Sequence, residues 1–270
     1  MKRLRYPVLT LAGIIALVPL VWMIETSLKS NAEITQDGSL YPHNFTLANY
    51  RTLFSSYHFS SYLRNSIGIT ALSVMLSLVL GTLAAYSIAR YRLPLNMQRH
   101  IGVGLLTLRI LPPIVIIVPA FLIVERLHLL NTWIGLIVVY SAFNVSFVVW
   151  MMESFFREIP VDLEEAAMVD GDSRMTAFRR IVLPLARPGL VATAIFAVIV
   201  TYNEFLFALV LTSTPSSETM PVGAATLIGR ISVDWGGMSA AGVLGAVPIV
   251  IFALLVQRHL VRGLTMGAVK

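Results

Sequence analysis

The sequence alternates between long apolar segments and shorter polar ones. Six apolar segments are long enough to cross a bilayer, because a transmembrane helix needs about 20 mainly apolar residues. They are approximately Pro7–Thr26, Tyr62–Ala89, Ile101–Val124, Trp133–Met152, Leu190–Leu211 and Ala240–Val261. The pattern predicts an all-α polytopic membrane protein with six transmembrane helices, in a single domain of residues 1–270.

The first apolar segment has to be compared with a secretory signal peptide, because it follows Lys2, Arg3 and Arg5. Its apolar core is longer than that of a signal peptide, and no small-residue cleavage site follows it before Glu25. We therefore predict that this segment is retained as the first transmembrane helix.

Composition supports the membrane assignment, and the basic residues predict the orientation. Hydrophobic residues make up 57% of the chain and charged residues 13%, whereas soluble proteins carry about 25% charged residues. If the N-terminus is cytoplasmic, 14 of the 20 Lys and Arg residues lie in cytoplasmic segments, as the positive-inside rule requires. Both termini are then cytoplasmic, with external loops 29–61 and 212–239 and a cytoplasmic loop 153–189. This bias explains the net charge of +6, so no nucleic acid partner is predicted.

The cytoplasmic loop 153–189 has the signals of two short helices. Pro160 suits the first turn of a helix, and Gly171 suits the left-handed position that closes one. Acidic residues lie near the positive end of its dipole; they are Asp162, Glu164 and Glu165. Asp172 or Ser173 can cap a second helix, which Pro184 limits.

The first of these helices is amphipathic. Leu163 and Ala167 share a face, the alanines at 166 and 167 allow another backbone to approach, and Glu165 offers a charge to a basic partner. A solvated loop whose acids balance its own arginines fits the same residues. From the residues alone, a docking helix and a solvated loop both remain open.

The same loop resembles the EAA loop of binding-protein-dependent ABC importer permeases. The matching residues are Glu165, Ala166, Ala167, Gly171, Ile181, Leu183 and Pro184. Other segments resemble the MalG-like carbohydrate (CUT1-type) permeases; they are Pro19–Trp22, Thr26–Lys29, Asn49–Phe54, Leu63–Ser66, Asn203–Ala208 and Gln257–Lys270. The chain thus resembles the inner-membrane subunit of a carbohydrate importer along its whole length.

The resemblance implies an ABC type I importer permease fold in a bacterial or archaeal cytoplasmic membrane. In that family the EAA residues, here together with Glu164, form a coupling helix that sits in a cleft of an ATP-binding subunit. The tail reaches toward the same subunits; its residues are Gly267, Ala268, Val269 and Lys270. The implied partners are a second homologous permease subunit, two ATP-binding subunits, an extracytoplasmic solute-binding protein and a sugar. The resemblance also implies that ATP and Mg²⁺ bind to the partners, that this chain binds no cofactor and that it is not an enzyme.

Polar residues within the predicted spans are candidates for the substrate pathway, because polar groups in lipid usually face protein or water. Arg109 lies close to Pro112 and Pro113, which should kink the third helix and free carbonyl groups. The other candidates are Tyr140, Asn144, Asn203 and Glu204. Contacts between helices explain the same residues, so this alternative stays open.

Two other classes of protein account for the residues less well. A self-sufficient proton-coupled transporter usually carries interacting acids or histidines within its spans, whereas Glu204 is the only acid deep in a predicted span. An intramembrane enzyme needs a nucleophile or a metal site. The sequence has no cysteine, no His-Glu-x-x-His, no Gly-x-Ser-x-Gly and no histidines at metal-ligand spacing.

Overall fold

The computed structural model describes residues 2–36, 41–91, 94, 97–228 and 233–266, and these residues form an all-α protein. The helices are α1 Lys2–Ser27, α2 Asn31–Gln36, α3 Ala48–Ser56, α4 Phe59–Arg90, α5 Met97–Ile110, α6 Pro113–Arg126, α7 Trp133–Glu158, α8 Asp162–Val169, α9 Arg174–Ala177, α10 Leu183–Leu185, α11 Arg187–Tyr202, α12 Leu206–Leu211, α13 Met220–Ala225 and α14 Trp235–Met266. A π-helical turn, Phe178–Val182, connects α9 to α10.

Four helices in the described part of the chain are long and apolar enough to cross a membrane: α1, α4, α7 and α14. A fifth span is obtained if Arg174–Leu185 and Arg187–Tyr202, which meet at 72°, are taken as one. The predicted all-α polytopic membrane fold is confirmed.

The third predicted span is not one helix. It is divided into α5 and α6, of 14 residues each, with a break at residues 111–112. Pro112 and Pro113 have no backbone N–H to donate to the preceding turn, and their rings clash with it. The predicted kink is therefore present, and it takes the form of a complete break between the two helices. Each half is about 21 Å long, short of the hydrocarbon thickness of roughly 30 Å.

The fifth predicted span, Leu190–Leu211, is also interrupted. The helix α11 ends at Tyr202, and α12 begins only at Leu206. The Asn203 side-chain amide donates to the Ile199 carbonyl over 2.8 Å, so this side chain competes for a carbonyl of the helix that it ends. The expectation of one continuous helix was wrong here because local side-chain hydrogen bonds offered the backbone another arrangement.

Helices α4 and α7 form the centre of the bundle and pack closely along their length. At Gly81 of α4, a Cβ atom would lie 2.6 Å from the Val148 Cβ of α7, so only glycine permits this approach. Fully buried residues on the two helices include Ile69, Leu136 and Phe156. In contrast, α1 contacts α14, and its residues 6–22 are exposed, as expected for a helix in contact with lipid.

At the end of the bundle that carries α3 and α13, polar side chains fix the connecting segments. The Asn65 amide of α4 donates to the carbonyls of Pro215 and Glu218, over 3.0 and 2.8 Å. The Met220 N–H donates to Ser66 Oγ over 2.7 Å. The segment 212–220 is therefore attached directly to the first turns of α4.

Candidate functional site

The helix α8 forms the short element that the loop pattern predicts. It begins at Asp162 and ends at Val169, and Gly171 follows with φ of +97°. The Gly171 N–H donates to the Met168 carbonyl over 3.2 Å, and the Asp172 N–H donates to the Ala167 carbonyl over 3.0 Å. This pair of bonds is the Schellman closure, which requires a left-handed residue at this position. The predicted left-handed position of Gly171 at the end of the helix is confirmed.

Of the two predicted capping residues, Ser173 rather than Asp172 caps the second helix of the loop, α9. The Ser173 hydroxyl oxygen accepts a hydrogen bond from the Thr176 N–H over 3.2 Å. Helical structure ends at Leu185, one residue after Pro184, and a bend of 72° separates it from α11, so the predicted limit at Pro184 is confirmed. Proline has no N–H for the carbonyl four residues earlier, and the π-turn accommodates this: the Leu183 N–H bonds to the Phe178 carbonyl, five residues back.

The two faces of α8 differ in exposure. The outward face carries Glu165, Ala166 and Val169, which are all exposed, and the Val169 side chain is 87% exposed. The inward face carries Glu164 and Ala167, which are both buried. The outward face therefore presents alanine, valine and the Glu165 carboxylate to the surroundings, while the inward face is packed.

The inward face of α8 is attached to α4 by a buried ion pair. Arg90 Nε lies 2.5 Å from Glu164 Oε1, and the side chains of Arg90 and Glu164 are only 4% and 6% exposed. The Tyr86 hydroxyl donates to Glu164 Oε2, also over 2.5 Å. Arg90 Nη2 donates in addition to the Ile159 carbonyl at the end of α7, over 2.9 Å. One guanidinium thus joins the ends of α4 and α7 to α8.

An aromatic cluster surrounds this ion pair. The Tyr86 ring lies 4.5 Å from the Phe178 ring and 5.8 Å from the Phe156 ring, measured between centroids. Phe156 lies near the end of α7, and Phe178 opens the π-turn. Apolar walls exclude water from the pair, which strengthens its electrostatic attraction and makes an unpaired charge there costly.

The remaining EAA residues lie on the π-turn and α10, next to α8. Ile181 and Leu183 are half-buried, and Leu183 packs on the cluster that contains Phe178; Pro184 is exposed. The structure thus brings both parts of the motif to one end of the bundle. The four tail residues, Gly267, Ala268, Val269 and Lys270, lie outside the described residues.

The polar candidates of the fourth and fifth predicted spans bond to each other. The Tyr140 hydroxyl donates to Glu204 Oε2 over 2.7 Å, and the Glu204 carboxylate also accepts from the N–H groups of Phe207 and Ala208, over 3.0 and 3.3 Å. Glu204 therefore caps α12 and ties it to α7. Asn203, by contrast, is exposed.

Asn144 lies beside a cavity between α7, α11 and the break after α5. The Asn144 amide donates to Thr201 Oγ1 over 2.7 Å. The cavity has a volume of about 240 Å³ and includes Ser146 and three aromatic rings, those of Phe143, Phe147 and Phe196. Arg109 lies in the last turn of α5, near the same break, but its side chain is outside the described part of the chain.

Sequence reasoning did not find Arg90 or Tyr86 as partners of the coupling helix. Arg90 was counted only as one of the basic residues that set the orientation. The pairing links residues 74 positions apart, so no local spacing indicates it. One signal could have indicated the pairing: Arg90 is a basic residue at the end of a span, and the cytoplasmic loop 153–189 is rich in acids.

The sequence matches a known protein family over most of its length. Residues 77–266 match the family described as "Binding-protein-dependent transport system inner membrane component". The trehalose transport system permease protein SugB of Mycobacterium tuberculosis is 41% identical over 257 residues, which cover 94% of this chain and 93% of SugB. The trehalose/maltose transport system permease protein MalG of Thermococcus litoralis is 37% identical over 263 residues, covering 96% and 94%.

A solved structure shares the fold. A chain of a bacterial ABC transporter involved in the import of the acidic polysaccharide alginate superposes with a TM-score of 0.78, over 95% of each chain and at 22% identity.

Proposed function

Since this chain belongs to the family of binding-protein-dependent transport system inner membrane components, we propose that it is a permease subunit of an ATP-driven carbohydrate importer. It forms half of the translocation pathway and pairs with a second, homologous permease subunit. Residues 1–270 form one membrane domain, with both termini and the loop 153–189 in the cytoplasm and the loops 29–61 and 212–239 outside.

The observation that carries this proposal is the contrast between the two faces of α8. A helix anchored by a buried ion pair does not need a second partner to stay folded, yet its outer face exposes Val169 and Ala166 beside the Glu165 carboxylate. Exposed apolar residues grouped on one helix face favour a protein contact. We assign this face to the ATP-binding subunit, and the tail Gly267–Lys270 to the same partner.

The family description and the relatives support the remaining partners. The word "binding-protein-dependent" indicates an extracytoplasmic solute-binding protein, and relatives are named as trehalose, trehalose/maltose and diacetylchitobiose permeases. The chain has no G-x-x-x-x-G-K-[ST] sequence, so ATP and Mg²⁺ are assigned to the partner subunits and this chain is not an enzyme.

The mechanism follows from differential binding. ATP closes the pair of ATP-binding subunits, and their contacts with α8 are stronger in one conformation of the permease than in the other. That difference in binding free energy shifts the spans to the outward-facing state. The binding protein then releases its sugar into the pathway, and hydrolysis restores the inward-facing state.

For the pathway we propose the polar groups near the breaks in the third and fifth predicted spans. A cavity lined mainly by apolar and aromatic side chains with a few polar groups is typical of ligand sites, and Asn144 lies in such a cavity. Asn203 is exposed at the end of α11, and Arg109 lies next to the other break. Tyr140 and Glu204 border the pathway through the bond that fixes α12.

The docking role of α8 is tested with Glu165→Lys. The importer is assembled with its ATP-binding and solute-binding partners, and uptake is measured with a radiolabelled panel of trehalose, maltose and diacetylchitobiose. We expect uptake of the accepted sugar to be abolished while the amount of inserted chain is unchanged, because a positive charge replaces the negative one at the contact.

Glu158→Lys is the matched control, since Glu158 is also exposed and lies seven residues earlier, at the end of α7. It should transport normally. Wild-type uptake by the Glu165→Lys importer, or uptake by the wild-type chain without ATP-binding subunits, contradicts the proposed function.

A further inference from the structure

We propose that Arg90 and Glu164 make α8 and α4 move as one body, so that α4 carries a displacement of α8 to the segment 212–220 at the other end of the bundle. This inference rests on the proposed function, because it assumes that a partner displaces α8. Both residues are positioning residues and neither contacts the sugar.

The first step is that Glu164 is fully occupied inside the chain. Its two carboxylate oxygens are bonded to Arg90 and to Tyr86, and only 4% of the residue is exposed. Its neighbour Glu165 is exposed. The two adjacent acids therefore have different roles: Glu165 is available to a partner, and Glu164 is bonded to α4.

The second step concerns the stiffness of the joint, by which we mean the contacts of Arg90 with Glu164 and with the Ile159 carbonyl. A backbone contact alone would let α8 slide over α4, but the Arg90 guanidinium donates both to Glu164 and to the Ile159 carbonyl. Planar guanidinium groups fix direction as well as distance. Because Ile159 immediately follows α7, the joint holds α4, α7 and α8 in one arrangement.

The third step concerns the far end of α4. This helix runs uninterrupted over 32 residues without an internal proline. Arg90 is its last residue, and Asn65 and Ser66 lie in its first turns, about 37 Å away at 1.5 Å per residue. Both side chains are buried and bonded to the segment 212–220, through Pro215, Glu218 and Met220. An uninterrupted helix bonded at both ends transmits an axial movement.

The first experiment compares Arg90→Ala with Arg157→Ala in the assembled importer. Arg157 lies in the last turn of α7 and, like Arg90, pairs with an acid, Glu153, but its side chain is 55% exposed. We expect Arg90→Ala to lower the sugar imported per ATP hydrolysed at least tenfold, and Arg157→Ala to leave this ratio unchanged because exposed pairs contribute little. An unchanged ratio in Arg90→Ala overturns the proposal.

Co-purification of the ATP-binding subunits with the permease shows whether a negative result concerns this inference or the proposed function. If the ATP-binding subunits bind to Arg90→Ala as well as to the wild type while the import ratio falls, the joint transmits movement. If they fail to bind even to the wild-type chain, the proposed function itself is wrong. Should Arg90→Ala not be recovered from membranes, Glu164→Gln keeps the size of the side chain and removes its charge. An unchanged import ratio in that variant equally overturns the proposal.

A covalent tether tests the mechanical role directly, because the chain has no cysteine of its own. Arg90→Cys with Glu164→Cys removes the ion pair, and a short bifunctional thiol reagent then links the two positions. We expect uptake to be lost in the untreated protein and restored to at least half of the wild-type value after linking. A linked protein as inactive as the unlinked one contradicts a mechanical role.

Movement of the segment 212–220 is a readout that distinguishes transmission by Arg90 from a purely structural role, because loss of a structural contact alone would leave this movement unchanged. Ser216 is exposed within the segment 212–220, and Ser216→Cys accepts a spin label. We expect addition of a non-hydrolysable ATP analogue to change the label's spectrum in the otherwise wild-type importer, but not when Arg90→Ala is also present. A change of equal size in both proteins refutes transmission through α4.

Discussion

The backbone of Gly171 permits a quantitative test of the closure of α8. Its φ is +97°, and a Cβ atom at this position would meet no heavy atom within 4 Å. In Gly171→Ala the cost is therefore backbone strain alone, about 1–2 kcal/mol for an L-residue in the left-handed region. Such a cost reduces the population of the closed helix end, relative to open forms, by a factor of about 5–30.

The three substitutions Gly171→Asn, Gly171→Ala and Gly171→Val separate strain from size. Asparagine enters the left-handed region more easily than alanine does, and a β-branched residue enters it least. We expect uptake of the accepted sugar to fall in the order Asn, Ala, Val, although asparagine is larger than alanine. Hydrogen exchange of the amides of Gly171 or its substitute and of Asp172 measures the closure itself and should follow the same order.

Two results refute this reasoning. If Gly171→Ala transports and exchanges like the wild type, the left-handed closure is not required. If Asn is worse than Ala, the size of the side chain decides the effect, which indicates that a partner packs against residue 171 in the assembled importer.

Two further predictions concern the membrane part. Gly81→Ala forces a Cβ atom against Val148 and should lower the stability of the purified complex by about 1–3 kcal/mol, and adding Val148→Ala should restore that stability. Gly104→Ala is the control and should leave the stability unchanged, because a Cβ atom there meets no heavy atom within 4 Å. Equal losses in both glycine variants contradict the packing argument. Glu204→Ala should alter the affinity for sugar or the stimulation of ATP hydrolysis more than Tyr140→Phe does, because it removes all three bonds of the carboxylate rather than one. A change in folding yield alone assigns Glu204 to packing.

The membrane fold was predictable because its cause is compositional. Runs of apolar residues longer than a bilayer requires, as in α4 and α7, leave no alternative to a spanning helix, and their approximate positions agree with the structure. The interruptions were less predictable. The prolines at 112 and 113 predict the break in the third span, whereas no spacing rule indicates that the Asn203 side chain bonds to the Ile199 carbonyl at the end of α11.

The coupling loop was predictable where its structure depends on neighbours in sequence. The left-handed Gly171 and the Ser173 cap follow from local rules that hold in any protein. The partners of Glu164 do not, because Arg90 and Tyr86 reach it only after α4, α7 and α8 have packed together. A periodicity argument places Glu164 in the first turn of the helix and cannot say which face is covered.

The burial of the Glu164–Arg90 pair argues for a function beyond stability. A well-packed apolar pair of similar volume is often as stable as a buried ion pair, or more stable, because desolvation of both charges offsets much of their attraction. An ion pair differs from an apolar contact in that it fixes direction, and that property matters where one helix must move another without slipping. An importer in which leucine and methionine replace this pair should therefore stay folded and hydrolyse ATP, yet import less sugar per ATP. Comparing its unfolding temperature with its import ratio distinguishes the two roles, and a wild-type import ratio in that protein rules out the directional role.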